Sequence, residues 1–153
     1  MTQILITLND QASLPNIRRI VKSLQGVTKV VVKTDEEATV GKNHLRLNAR
    51  VAELSSLCDG WDGADSKAVS PKLFRKFKEQ IARIDDNWLE GWTLFPEAHG
   101  FLYLDYSESG IFAGITMTEG LLTYFIKKND AVEKGENKIF SNPNLKAILK
   151  KVL

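Results

Sequence analysis

A chain of 153 residues with 43% apolar and 26% charged content has the balance of a folded globular protein and is long enough to bury a core. Its net charge of +2 gives no overall bias toward polyanions, and its one cysteine, Cys58, excludes an intrachain disulfide and a cysteine-rich zinc site. Met1 to Leu5 lack the pattern of a secretory signal and no apolar run approaches membrane-spanning length, so a cytoplasmic protein without a membrane partner is expected.

Gln3 to Leu8 predicts a strand with Ile4, Ile6 and Leu8 on one side. Ser13 and Pro15 then open a helix in which Ile17, Ile20, Val21 and Leu24 form the apolar stripe and Arg18, Arg19 and Lys22 point away, until Gly26 stops it. Val27 to Lys33 reads as a second strand, so residues 1–34 are expected to form a βαβ unit with parallel strands. A polar linker is assigned to residues 35–46, and the remainder, residues 47–153, to an α+β domain that is free to pack with the first unit as one.

From Leu45 to Cys58 the residues Leu47, Val51, Leu54 and Cys58 follow helical spacing, with Arg46, Arg50 and Glu53 on the wet side. Cys58 is read as a small buried residue. Ser70-Pro71 caps and opens a second helix with Phe74, Phe77, Ile81 and Ile84 on one face, so an αα-hairpin is predicted, joined by a loop from Asp59 to Val69. In that loop Gly60 and Gly63 bracket Trp61-Asp62, which suggests positive φ on both sides of an aromatic ring packed, mostly buried, over the helical corner.

Between Trp92 and Lys127 the period changes to two, with turns at residues 97–100, 107–110 and 118–120, and predicts a four-stranded antiparallel meander with apolar residues on both faces. Asp130 to Lys138 is expected to be a polar loop. Asn142-Pro143 opens a C-terminal helix with Leu145, Ile148, Leu149 and Val152 apolar. The expected fold class is therefore α+β: a βαβ unit, then an αα-hairpin packed on the meander, with a final helix. Two parallel strands make no stable sheet alone, so the N-terminal strands must join the meander or pair in a homodimer.

Chemistry-bearing motifs are few. Asp59, Asp62 and Asp65 recur at every third position, which differs from the alternation of a calcium loop, and no bidentate glutamate follows at the needed distance. They read instead as caps for turn amides, and neither a metal nor a cofactor is expected. Asp85-Asp86 reads as a surface step between helix and strand rather than a general acid and base. The histidines, His44 and His99, stand near no recognisable nucleophile, and no phosphate-binding glycine loop occurs. A hydrolase is thus the weakest of the functional classes.

The small net charge conceals blocks of opposite sign. Residues 1–34 carry five basic and one acidic residue (+4), 35–66 three and seven (−4), 67–84 six and one (+5), 85–120 none and seven (−7), and 121–153 seven and three (+4). Such blocks either pair across the fold or steer a charged partner. A nucleic-acid-binding regulator using Arg18, Arg19, Lys22, Lys72, Arg75 and Lys76 is one alternative, but the meander from Asp85 to Gly120 contains no Lys or Arg. The favoured class is a non-enzymatic protein-binding module, an adaptor or antitoxin-like protein, that offers Asp59, Trp61, Asp62, Asp65, Asp105 and Glu108 to a basic protein partner.

Asp59-Gly60-Trp61-Asp62-Gly63-Ala64, followed by Ser70-Pro71, an amphipathic helix, Pro96 and Gly100 opening a meander, resembles a group of uncharacterised bacterial proteins with a GWDG motif. The resemblance covers residues 47–127 and departs after Gly63, where Ala64-Asp65 stand in place of the group's further glycine or tyrosine. The opening from Met1 to Val32 is similar to that of small Bacteroidetes proteins of toxin–antitoxin-like gene pairs. The two resemblances imply a mobile-element or stress-module protein that works by binding, and neither brings a catalytic residue.

Overall fold

The computed structural model describes residues 19–21 and 41–153. The chain divides into two compact units, Met1–Ala38 and Thr39–Leu153. In the first, Arg19, Ile20 and Val21 are helical, within the stretch where a helix is expected. The expected strands on either side lie outside the described residues, as do Arg18 and Lys22.

The second unit is α+β. Helix α1 (Lys42–Leu54) and helix α2 (Pro71–Ile81) are followed by a short 3-10 helix (Asp86–Leu89). Five strands come next: β1 (Thr93–Glu97), β2 (Phe101–Glu108), β3 (Ile111–Met117), β4 (Leu121–Lys128) and β5 (Ala131–Ile139), before helix α3 (Asn142–Lys150). The strands pair antiparallel in sequence order. The meander is thus five-stranded rather than four-stranded, and residues 131–139, expected as a polar loop, form its last strand. Asn129-Asp130 makes the two-residue turn, with Asn129 at φ 53°, the left-handed conformation such hairpins require.

The apolar stripes of the helices and one face of the sheet bury a common core. Leu47 and Val51 of α1, Phe77 and Ile81 of α2, and Leu145 and Leu149 of α3 meet Leu94, Leu104, Ile115 and Leu122 from the strands. Trp92, 1% exposed, sits 5.3 Å from the Tyr106 ring and is the largest fully buried side chain. Ser70 caps α2 as its position before Pro71 predicts, its hydroxyl accepting from the Leu73 amide at 3.1 Å.

Helix α1 differs from expectation at both ends. It begins at Lys42, so residues 42–46 are helix and not linker, and its first turn contains no acidic residue. Its amides are satisfied from 43 residues away: Asp86 Oδ1 accepts from the Asn43 amide at 3.1 Å and the His44 amide at 2.9 Å. A Cβ on Gly41 would stand 2.0 Å from the Asp86 carboxyl carbon, so glycine there is what lets the carboxylate reach the helix. At the other end the helix stops at Leu54, where the Ser55 and Ser56 hydroxyls turn back to the Ala52 and Glu53 carbonyls. Cys58 consequently falls outside the helix and is exposed, not buried.

The Asp86 network also closes the helical hairpin. His44 Nδ1 lies 2.8 Å from Asp86 Oδ1, and its Nε2 lies 2.9 Å from the Ile81 carbonyl at the end of α2. Asn43 Nδ2 donates to both the carbonyl and the carboxylate of Asp86. Burial works against the charge on Asp86, but the hydrogen bonds from His44 and Asn43 outweigh it and hold the carboxyl below its ordinary 3.8. Asp86→Ala should therefore cost about 2 kcal/mol in urea unfolding at neutral pH. Because the folded value is the lower one, this contribution is complete above pH 3.8 and is lost as pH falls through the folded value. The stability gap between wild type and variant should accordingly narrow in acid.

Candidate interaction surface

A sheet has two faces, and here only one is spent on the core. On the other, Phe95, Phe101, Phe112, Leu121, Phe125, Val132 and Ile139 are all exposed, between 36% and 67%. The pairing register sets Leu121 beside Ile139 and spaces the others across the face. Phe112, Lys127 and Val132 make one cross-strand row; Thr93, Asp105, Gly114, Phe125 and Lys134 make the next; Phe95, Tyr103, Thr116 and Thr123 make a third. So many large apolar side chains on one open face are uncommon on a monomer's surface and mark contact sites.

Gly114 forms the floor of this face. A Cβ there would lie 2.1 Å from Tyr103 Oη and 2.5 Å from a Phe125 ring carbon, so the two rings lean over the glycine from the flanking strands. Between them and β5 runs an open groove of about 430 Å³, which Thr116, Thr123, Lys134 and Glu136 also line. The Tyr103 hydroxyl titrates above its ordinary range, first because the ring is partly buried and then because Asp105 and Glu97 stand beside it. The face is electrically divided. Glu97 and Asp105 lie on the β1–β2 side, while Lys127 and Lys134 outnumber Glu136 on the β4–β5 side.

The loop of residues 59–69 is placed quite differently. Gly60 and Gly63 adopt φ 87° and 107°, as their bracketing of Trp61-Asp62 suggests. The aspartates, however, do not converge. Asp59 accepts from the Ala68 amide at 2.9 Å and pairs with Lys67 at 3.1 Å, and these two contacts, the amide first, lower its carboxyl. The Asp62 and Asp65 side chains are exposed. The bond to Ser66, the buried hydroxyl of the loop, is made by the Asp62 amide and not its carboxylate. Trp61 is half-buried rather than mostly buried: its ring N–H donates to the Lys67 carbonyl at 3.1 Å, which ties it to its own loop. The Lys67 amide donates to Ala98, docking the loop on the β1–β2 turn.

Asp105 and Glu108 do not act together either. Three positions apart on one strand, they face opposite sides of the sheet, Asp105 on the open face and Glu108 over Gly91. Of the basic residues, Lys72 pairs with Glu119 at 2.8 Å and Lys76 donates to the Glu119 carbonyl at 2.6 Å. Arg75 and Arg19 are exposed. His44 is committed to the α1 cap, and His99 stacks on Phe101 at 6.1 Å. Among the described residues no three His, Cys, Asp or Glu side chains are placed to hold a metal ion, and no helix is long and apolar enough to cross a membrane.

Sequence reasoning treated the sheet as acidic because it counted charge over residues 85–120 and ended the meander before β5, and so left Lys127 and Lys134 out of the account. The Asn129-Asp130 turn was the available signal. No protein-family model matches the chain, and neither a curated protein nor a solved structure matches it.

Asp59, by its two bonds, is a structural residue of the loop, whereas the exposed Asp62 and Asp65 carboxylates hold nothing in place. Asp59→Asn should lower the thermal unfolding midpoint, while Asp62→Asn and Asp65→Asn leave it within about half a degree. Scanning calorimetry of the three variants checks this.

Proposed function

We propose that this chain is a protein-binding module, of the adaptor or antitoxin-like kind, and that its contact surface is the open aromatic face of the sheet. The observation that carries the reading is that four phenylalanines stand exposed on a face whose reverse side holds the core of the second unit. Aromatic side chains supply large rigid contact area at low entropic cost, which is why they dominate the centres of interfaces. Asp105 and Glu97 at the margin favour a partner that brings basic side chains among apolar ones. The aspartate loop, with Asp59 already paired, contributes at most Asp62, Asp65 and the half-buried Trp61 to that contact.

A nucleic-acid reading gains less support. Two of the four α2 cations are engaged by Glu119, and bases stacked on Phe95, Phe101 or Tyr103 would meet Glu97 and Asp105.

The tagged full-length protein, captured from cells at low and high salt, should retain a protein partner, and the Phe112→Glu/Phe125→Glu double variant should lose at least nine-tenths of it. These side chains are 48% and 37% exposed, so the variant keeps the core intact, and an unchanged near-ultraviolet circular dichroism spectrum verifies that. Recovery of nucleic acid that Lys72→Glu/Arg75→Glu abolishes would overturn the reading in favour of the basic helix.

A further inference from the structure

From the division of charge across the open face we infer that its occupant is a second copy of this chain, docked face to face with its acidic side over the first copy's basic side. The inference rests on the binding reading above and names the partner. Asp105 and Glu97 call for cations set among apolar groups. The chain itself carries such a surface on β4 and β5, where Lys127 and Lys134 flank Phe125 and Val132.

Symmetry selects the register. Two sheets packed face to face are related by a two-fold axis lying between them. With that axis parallel to β3, rotation carries β1 of one copy over β5 of the other, so each acidic half meets a basic half, twice. With the axis across the strands, β1 lies over β1 and like charges oppose, which costs association. The first arrangement also places Gly114 next to the axis, so that the Tyr103 and Phe125 rings that lean over it in one copy meet the same pair in the other.

The area suffices for a reversible dimer. Five strands of about seven residues span on the order of 24 by 23 Å. With side chains standing from it, the accessible area approaches the roughly 800 Å² per partner of stable interfaces.

Sedimentation velocity on the full chain should show a particle of twice the 17.2 kDa chain mass at tens of micromolar. Two charge-reversed proteins test the register: Glu97→Lys/Asp105→Lys, whose face is then mostly basic with Glu136 left on it, and Lys127→Glu/Lys134→Glu, whose face is acidic. Each alone should dissociate at least tenfold more readily than wild type. Mixed in equal amounts they should form a heterodimer at least as tight as the wild-type homodimer, since both contacts are then complementary. All four residues lie on the open face, so folding is preserved, and matching circular dichroism spectra confirm it. A monomeric wild type at 100 micromolar, or a mixture that associates no better than its components, overturns the inference. If the wild type is monomeric yet Phe112→Glu/Phe125→Glu abolishes capture of a different protein, the self-contact fails and the binding reading stands. If capture is also indifferent to those substitutions, both fail.

Discussion

One carboxylate decides how the second unit is assembled. Helix α1 starts with no acidic residue and no capping side chain of its own, leaving amides that must find an acceptor or remain unpaired. Asp86 supplies it from a 3-10 turn 43 residues further on, and the same carboxylate holds His44, whose other ring nitrogen reaches the end of α2. The start of one helix, the end of the next and the entry to the sheet are thereby fixed at one point. A partly buried carboxylate shared by so many donors holds best when every partner is present, so the three segments are coupled rather than independently stable.

That coupling determines which face of the sheet is covered. With α1 and α2 locked together and followed directly by Trp92 and β1, the helical layer lies against Leu94, Leu104 and Ile115, and α3 returns to the same core through Leu145 and Leu149. The helices of the second unit thus pack on one side. Alternation then forces every second residue of each strand onto the other side, where apolar choices such as Phe95 and Phe125 contribute nothing to the core. Their presence there calls for an explanation outside the unit's own folding.

Features that depend on neighbouring residues were legible in the sequence. Ser70-Pro71 gave the start of α2, the glycines around Trp61 gave its positive φ angles, and period-two stretches gave the antiparallel strands. Features that depend on distant residues were not. Nothing local ties Asp86 to Gly41, and Lys67 is brought to Asp59 only by a loop that closes on itself. Strand β5 was hidden for a different reason: Glu133, Lys134, Gly135, Glu136 and Asn137 have poor strand propensity, and pairing with β4 overrides it. Gly135 even serves that pairing, since a Cβ there would stand 2.2 Å from the Tyr124 ring. The candidate surface suffered most, because a face built from five strands changes its charge when one strand is overlooked.

The sheet's edges narrow the ways in which it can associate. An open sheet ordinarily risks pairing through its edge strands. Here β1 carries Pro96, which lacks an amide proton, and Arg50 donates to the Leu94 carbonyl at 3.1 Å. On the opposite edge, β5 is irregular against β4 between Leu122 and Tyr124, and it presents Lys134 and Lys138 to solvent. Both edges are therefore poor templates for an added strand. Hydrogen-bonded growth is discouraged at the sides while apolar area is left open on the face. On the proposed reading, a protein guarded in this way against indefinite edge-to-edge assembly, yet exposing phenylalanines across its middle, would make a contact that closes on one partner through side chains, not backbone.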